Sequence, residues 1–536
     1  MTKHDNQTGI SSVGIISLIS SAVLLILFTR LISVHHNINL HPDEPVFYKA
    51  ADSLMRYLTG SADAYTEIKE YPEGAIVLQL PFHIVAAAIY NLFGKKLSMQ
   101  LCGRVASIFY FCCGAICGMI IEYRHFGKNR KSVLAYGLIL LFSIMHIEQS
   151  RYGTGDAISF FLIMLILLLV LRRKDKDKSN YPFWIFTGFL SGLLCSVKYP
   201  LLFWGLLPFI MAWKTEEKEN HRRLCALFLF IYMVTIGFLL GSPKVWSDPY
   251  YIIRAIKRET KAYIINGNIT EVGGPLNHLL SLTLYSFLYA GFPLAPVFVL
   301  SVWKERKEHY NKDDSDAFLL SFLLPVLIVV FFLYNVFVKT LFMRTYYPFF
   351  FLTDLYVAEY LGKQQCKNKQ VAIFFLTCLF IGRSSYYIGV LTERYGPDRL
   401  DALIGQAADK SWCKTTLLMP GYFIDFNRDS LVDPHTEQLI NLKFENERDL
   451  LIDVGEMVIT GSIEYGRGQG YVFAVDNEDA NQHYERWEAF KRMNSNYFVG
   501  SIYPQIYYYL FGYWIKGTTG CPYEFPTNYV YYRGMP

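Results

Sequence analysis

The stretch Asn39-Leu40-His41-Pro42-Asp43-Glu44-Pro45 follows the first long apolar run of the chain, residues 13–34. It places two adjacent carboxylates between two prolines, where the chain leaves an apolar segment. The prolines restrict the backbone, and the short side chain of Asp43 is typical of a residue that caps the N-terminus of a helix. The sequence therefore predicts that a helix begins here and continues to Gly60.

The predicted helix carries its apolar residues on one face, because they recur at helical spacing while most polar residues fall elsewhere. The apolar positions are Phe47, Ala50, Ala51, Leu54 and Leu58. We expect this helix to lie on a membrane surface with carboxylates at its positive end. Adjacent side chains point in different directions on a helix, so Asp43 and Glu44 are not expected to act as a matched pair. We expect one of these two carboxylates to take part directly in the chemistry of the site and the other to support it.

The composition indicates a membrane protein with many spans. Of the 536 residues, 52% are hydrophobic and only 18% are charged, which excludes a single soluble core. The net charge of +5 is small for this length and does not indicate a nucleic-acid partner. Most cysteines lie inside apolar runs and are expected to be small core residues. Cys413 and Cys521 lie in the polar C-terminal part, and the sequence leaves open whether they form a disulfide.

The distribution of Lys and Arg between loops predicts the topology. Twelve apolar runs occur, at 13–34, 74–93, 97–121, 132–148, 157–171, 183–197, 199–213, 224–241, 277–302, 317–338, 345–361 and 370–388. If all twelve crossed the membrane, basic loops would lie on both sides. Run 74–93 is interrupted by Pro81 and His83, and treating it as re-entrant or interfacial puts every loop rich in Lys and Arg on the cytoplasmic side. We therefore predict about eleven spans and a cytoplasmic N-terminus.

This topology brings the polar segments to one outer face of the membrane. They are Asp43, the turn 149–156, Lys198-Tyr199, the stretch 241–249 and Arg344. Residues 391–536 have an ordinary soluble composition and are predicted to form a small α/β domain outside the cytoplasmic membrane, after a membrane domain over 1–390. Its strands are predicted at Leu417–Met419, within 450–460 and at Tyr529–Tyr532, and a polar helix at 476–493.

Each polar residue at a span end has a structural and a functional interpretation. Asp156 is placed to cap the next helix, and Asp248 also indicates a helix start. Lys198, Arg344 and Arg151 either extend toward lipid headgroups or bind an anion.

A divalent metal site is a further hypothesis for the outer face. Glu73 and Glu70 lie ahead of the run 74–93, and together with His83 or His41 they could hold a divalent ion. No cofactor is otherwise indicated.

No phosphate-binding loop, dinucleotide fingerprint, nucleophile elbow, paired Cys-x-x-Cys or His-Glu-x-x-His occurs in the chain. The chemical groups that remain are carboxylates together with Lys and Arg side chains on the predicted outer, lipid-facing surface. That combination suits transfer from a lipid phosphate, in which a carboxylate deprotonates an acceptor hydroxyl while Lys and Arg neutralise the departing phosphate. Phosphate leaves without a general acid, so a single ionised carboxylate is enough, unlike the paired carboxylates of ordinary glycosidases.

The order of these motifs over residues 13–361 resembles the GT-C glycosyltransferases, in particular the protein O-mannosyltransferase and aminoarabinose-transferase branch. The resemblance rests on the acidic pair after the first span, the surface helix, a Tyr-Pro segment, and the later outer turns with Arg, Asp and Lys. It implies that Asp43 is the catalytic acid of the first loop, Glu44 its neighbour and Asp156 the second acid. Lys198 matches a cation near the phosphate.

The resemblance also implies a substrate class. We expect an inverting transferase that takes a sugar from a polyprenyl-phosphate donor and passes it to a lipid, glycan or protein acceptor on the outer face of the cytoplasmic membrane. Arg151 and Arg344 would bind the donor phosphate beside Lys198. Further contacts to donor or acceptor are expected from Tyr71, Tyr199 and Asp248. Two other classes stay open, namely a transporter or flippase of lipid-linked sugars and a non-catalytic membrane scaffold.

Overall fold

The computed structural model describes most of the helical part of the chain and the backbone of six strands beyond it. The described residues are 12–31, 44–58, 73–93, 97–126, 129–173, 181–210, 220–261, 279, 298–303, 318–337, 343–363, 415–420, 441–446, 449–454, 457–464, 469–476 and 529–532. Asp43, Tyr71, Cys413 and Cys521 lie outside them.

The described part of the membrane region is built from helices. They are α1 (Ser12–Leu31), α2 (Glu44–Leu58), α3 (Gly74–Phe93), α4 (Met99–Ile121), α5 (Arg130–Phe142), α6 (Ile144–Arg151), α7 (Asp156–Arg172), α8 (Tyr181–Val197), α9 (Leu202–Gly205), α10 (Asn220–Gly241), α11 (Lys244–Ser247), α12 (Tyr251–Thr260), α13 (Leu324–Val336) and α14 (Tyr347–Gly362). Short 3-10 turns at Tyr199–Leu201 and Met343–Tyr346 precede α9 and α14.

The protein is a multi-pass membrane protein. Among the described residues, five helices are long and apolar enough to cross a membrane. They are Gly14–Leu31, Gly74–Phe93, Leu101–Phe126, Leu224–Gly241 and Leu319–Val336. Helices α5 and α6 bend by 69° at their junction and would form a sixth span if counted together.

Helix α3 differs from the interrupted segment expected over 74–93. It runs through Pro81 without a break and ends at Phe93. A proline inside a helix removes only one hydrogen-bond donor, and membrane helices tolerate this loss. The length and composition of α3 would allow it to span a membrane. The re-entrant placement and the count of eleven spans therefore remain predictions.

Helix α2 forms where the sequence predicted it and buries the predicted stripe. It begins at Glu44 and ends at Leu58, two residues before Gly60. Phe47, Ala50, Ala51 and Leu54 are buried in the main core, with α2 packed against α3 and α4, whereas Leu58 is exposed. The stripe thus faces protein rather than lipid.

Helices α8 and α10 approach each other closely through glycines. A Cβ at Gly188 would lie 2.8 Å from the carbonyl oxygen of Phe230. A Cβ at Gly192 or Gly237 would collide with the backbone of the facing helix, at Val234 or Phe189. Small residues let two membrane helices pack backbone to backbone, and this contact fixes the end of α8, from which Lys198 follows.

The six described strands form one antiparallel sheet in the order β2-β3-β4-β5-β1-β6. The strands are β1 (Thr415–Pro420), β2 (Asn441–Asn446), β3 (Asp449–Val454), β4 (Met457–Glu464), β5 (Gln469–Asp476) and β6 (Tyr529–Tyr532). β1 and β6 agree with the predicted strands, and the segment 450–460 falls on the hairpin of β3 and β4. The helix expected over 476–493 begins on the last residue of β5 and otherwise lies outside the described residues. The α/β domain over 391–536 stays a prediction.

Candidate functional site

The turn between α6 and α7 places Asp156 at the start of a buried helix. Asp156 is the first residue of α7, and Gly155 occupies the N-cap position without a side-chain cap. The expectation that Asp156 caps this helix is therefore wrong, because its carboxylate takes other partners. One oxygen accepts a hydrogen bond of 3.1 Å from the hydroxyl of Thr154. A carboxylate in the first turn also interacts favourably with the helix dipole.

The other carboxylate oxygen of Asp156 forms an ion pair with the ammonium group of Lys198. Lys198 has an extended backbone between α8 and the 3-10 turn, which turns its side chain toward α7. The Asp156 side chain is 3% exposed and that of Lys198 is 28% exposed. An ammonium has three N–H donors, so Lys198 can contact an anion on its exposed side while it stays bonded to Asp156.

Three neighbouring helices hold the turn that carries Asp156. The side-chain amide of Gln79 in α3 donates to the carbonyl oxygens of Gly153 at 3.3 Å and Thr154 at 3.4 Å. The hydroxyl of Ser107 in α4 donates to the same Thr154 oxygen at 3.4 Å. A Cβ at Gly155 would lie 3.0 Å from Val197 in α8. The backbone ahead of Asp156 is thus held by hydrogen bonds and close packing.

Glu73 joins the start of α3 to the segment after α10. Its side chain is buried, and one carboxylate oxygen accepts a hydrogen bond of 2.9 Å from the backbone N–H of Lys244. Gly74 and Gly241 both pack directly against Ser196 near the end of α8. The ends of α3, α8 and α10 therefore meet beside the Asp156 turn.

Glu73 and His83 are not brought together by the structure. His83 lies ten residues after Glu73 along α3, about 15 Å of helical rise, and its ring contacts the sulfur of Met99 at 3.2 Å. In the part of the chain that the structure describes, no three or more His, Cys, Asp or Glu side chains form a group that could hold a metal ion. This spacing does not support a metal site that contains both Glu73 and His83.

Asp248 and Tyr199 lie on the segments that meet at this end of the bundle. Asp248 ends α11 rather than starting a helix, and its exposed carboxylate pairs with Arg254. The hydrogen bond from Arg254 lowers the pKa of Asp248 below its usual value. The ring of Tyr199 lies 6.3 Å from that of Phe238.

The remaining predicted site residues are placed less fully. Arg151 is buried at the end of α6. Glu44 is the first residue of α2, and Arg344 lies in the 3-10 turn before α14. The structure describes only the backbone of these last two residues, and Asp43 and Tyr71 lie outside the described part of the chain.

A second polar cluster, which the sequence reasoning did not single out, links α6 to α14. One ring nitrogen of His146 lies 3.0 Å from the hydroxyl of Tyr347, and the other lies 2.7 Å from a carboxylate oxygen of Asp354. Both His146 and Asp354 are buried. An ionisable residue inside an apolar run, such as Asp354 in 345–361, is the sequence signal that could have indicated this cluster.

Arg30 satisfies the backbone at the bend between α5 and α6. Its guanidinium is buried and donates to the carbonyl oxygen of Leu140 at 2.6 Å and to that of Leu141 at 3.2 Å. A broken helix leaves carbonyl groups without partners, which is costly inside a membrane. Arg30 supplies these partners, and α6, which carries His146, can then continue to the Asp156 turn.

The geometry provides a buried acid that holds a partly exposed cation at the end of a helix bundle. Such a cation can neutralise an anion without losing its orientation, because Asp156 and the surrounding turn fix its position. The site is therefore suited to an anionic group, such as a phosphate.

Residues 70–336 match the model of Glycosyltransferase family 87. Two solved structures are similar at low identity. ArnT from Cupriavidus metallidurans bound to undecaprenyl phosphate is 14% identical over 74% of this chain and 72% of that chain, with a TM-score of 0.49. The archaeal oligosaccharyltransferase AglB from Archaeoglobus fulgidus in complex with an inhibitory peptide and a dolichol-phosphate is 9% identical over 74% of this chain and 58% of that chain, with a TM-score of 0.43. A comparison with curated proteins gave no match.

Proposed function

Because residues 70–336 match the model of Glycosyltransferase family 87, we propose that the chain is a membrane glycosyltransferase that transfers a sugar from a polyprenyl-phosphate donor to an acceptor hydroxyl with inversion at the anomeric carbon. The observation that carries this proposal is the ion pair of Asp156 and Lys198 on a turn held by three helices. Both residues fall inside the region that matches the glycosyltransferase family.

The proposed reaction is a direct displacement. A carboxylate accepts the proton of the acceptor hydroxyl, and the hydroxyl oxygen attacks the anomeric carbon from the face opposite the phosphate. The bond between this carbon and the phosphate oxygen breaks, and its electron pair leaves with the polyprenyl phosphate. Lys198, Arg151 and Arg344 neutralise the phosphate as its negative charge increases.

Asp43 is the proposed base, with Glu44 as its neighbour. The carboxylate of Asp156 is already bonded to Lys198 and Thr154 and is nearly buried, so it suits holding the cation better than accepting a proton. Asp43 immediately precedes α2, and α2 packs against α3, the helix that also supports the Asp156 turn. This arrangement supports a base at the start of α2 acting across from the phosphate site.

The proposed location is the outer face of the cytoplasmic membrane, with the N-terminus in the cytoplasm. The support for it is the excess of Lys and Arg in alternate loops. In this arrangement residues 1–390 form the catalytic membrane domain. Residues 391–536 form an outer α/β domain that guides the acceptor.

A transporter of lipid-linked sugars is a second candidate, favoured by the buried His146–Asp354 pair. Ionisable side chains inside membrane helices are typical of proton or substrate relays. A transporter would move the lipid without cleaving its bond to the sugar, so the same labelled donor separates the two candidates.

The test uses the purified full chain in lipid nanodiscs with labelled polyprenyl-phosphate sugars and candidate acceptors. Asp43→Asn should fold normally and reduce transfer by about 10²-fold or more, the usual scale for losing a positioned general base. The matched control is Asp52→Asn, which removes an exposed acid of α2 that pairs with Arg56 at 3.0 Å, and it should retain wild-type transfer. Transfer near the wild-type rate in folded Asp43→Asn protein would exclude this base, and a product with retained anomeric configuration would exclude direct displacement.

A further inference from the structure

The segment 244–261, which contains α11 and α12, is fastened to the end of the bundle beside the Asp156 turn. The backbone N–H of Lys244 donates to Glu73, and the indole N–H of Trp246 donates to the carbonyl oxygen of Leu239 at 3.0 Å. The ammonium of Lys244 also lies 5.0 Å from the ring centre of Tyr251. The segment therefore begins at a fixed position where α10 ends.

Helix α12 divides its surface into three arcs. Tyr251 and Ala255 are buried and form the contact with the protein. Ile253 and Ile256, 62% and 45% exposed, lie next to each other on a second arc. The third arc, beyond them around the helix, carries four basic residues. They are Arg254, Lys257, Arg258 and Lys261.

The exposed apolar surface continues ahead of α12. Trp246 is 65% exposed and Tyr250 is 70% exposed. Both residues have an apolar ring and a polar atom, and such residues are enriched where a membrane meets water. They add two exposed aromatic rings to the segment that carries Ile253 and Ile256.

The net positive charge of the segment is complementary to an anionic surface. Residues 244–261 contain five Lys or Arg against two Asp or Glu. One of the two acids, Asp248, already pairs with Arg254. An amphipathic helix with Lys and Arg beside an exposed apolar arc lies in the plane of the membrane interface, where anionic headgroups attract its cations.

We propose that the segment 244–261 is an interfacial anchor that binds anionic phospholipid headgroups. Ile253 and Ile256 insert among the acyl chains, and Lys257 and Lys261 contact the headgroup phosphates. Through Lys244 and Glu73 the anchor is joined to the start of α3, so it holds this end of the bundle at the depth of the headgroups. The proposal does not depend on the transferase reaction.

The depth of the helix can be measured with spin labels on p-acetylphenylalanine, which leaves the ten native cysteines in place. Labels would replace Ile253, Ile256 and Lys257 in the full chain, in nanodiscs of phosphatidylcholine and phosphatidylglycerol. We expect oxygen, which concentrates in the membrane, to reach the labels at 253 and 256 more readily than the label at 257. A water-soluble nickel complex should reach the label at 257 more readily than the other two. Equal access of nickel to all three labels would overturn the proposal, and protection of all three from both reagents would show that protein covers this face.

The headgroup contact requires a second measurement. The double variant Lys257→Gln, Lys261→Gln should lower the preference of spin-labelled phosphatidylglycerol over phosphatidylcholine in the lipid shell by about twofold. The control is Lys131→Gln, which removes an exposed lysine at the start of α5 and should keep the wild-type preference. An unchanged preference in the double variant, with the folded state verified by gel filtration, would mean that these lysines do not bind anionic lipid.

Discussion

Replacing Lys198 by glutamine removes the cation that is bonded to Asp156 and leaves a carboxylate that is 3% exposed. Among the described residues, the Asp156 carboxylate then keeps the hydrogen bond from the hydroxyl of Thr154. Removing one partner of a fully buried ion pair costs about 3–5 kcal/mol, whereas an exposed pair contributes about 0–1 kcal/mol. Lys198 is 28% exposed, so we expect the free energy of unfolding to fall by about 2 kcal/mol.

A double-mutant cycle separates this pair from other effects of the substitution. Asp156→Asn should also destabilise the protein, and Lys198→Gln should then cost little in the Asp156→Asn background. We expect a coupling energy of about 1–2 kcal/mol between the two positions. The assay is reversible unfolding of the four proteins by a denaturing detergent in mixed micelles, followed by tryptophan fluorescence.

Donor use provides the functional part of the same experiment. Lys198→Gln should raise the KM for the lipid donor about tenfold, the scale of one lost charge-assisted hydrogen bond, and Lys198→Arg should retain part of the affinity because it keeps the charge. A coupling energy below about 0.3 kcal/mol would refute the energetic role of the pair. An unchanged donor KM in a destabilised Lys198→Gln protein would refute phosphate binding and leave Lys198 with a structural role.

Three further tests address other parts of the structure. Gln79→Leu removes both hydrogen bonds to the turn before Asp156, so transfer should fall about tenfold with the helical circular dichroism unchanged, and wild-type transfer would contradict a positioning role. Asp354→Ala leaves His146 buried without its 2.7 Å partner and should lower the free energy of unfolding by about 3 kcal/mol. A loss below about 0.5 kcal/mol would show that the cluster is not stabilising. In intact cells a single cysteine at Gly127 should resist a membrane-impermeant thiol reagent and one at Gly273 should react, and the reverse pattern would invert the topology.

The sequence alone determined the features that depend on local pattern. Period-3.6 spacing predicted the apolar stripe of α2 from Phe47 to Leu54, although it assigned the stripe to the membrane surface and the structure buries it against protein. Strand-forming residues predicted β1 and β6. Hydrophobic content predicted a multi-pass membrane protein, because each span must supply its own apolar length. Asp156 and Lys198 were singled out separately, since each is a charged residue at the end of an apolar run.

Only the tertiary structure decided which of these residues meet. The pairing of Asp156 with Lys198 depends on how α7 packs beside α8, and the hold of Gln79 on the Asp156 turn depends on α3 lying against α4. The contact of His146 with Asp354 joins positions 208 residues apart. Such contacts have no local periodicity, because they follow from the packing of whole helices and from the need to satisfy every polar group in the bundle. Sequence pattern therefore identified the charged groups, and helix packing selected their partners.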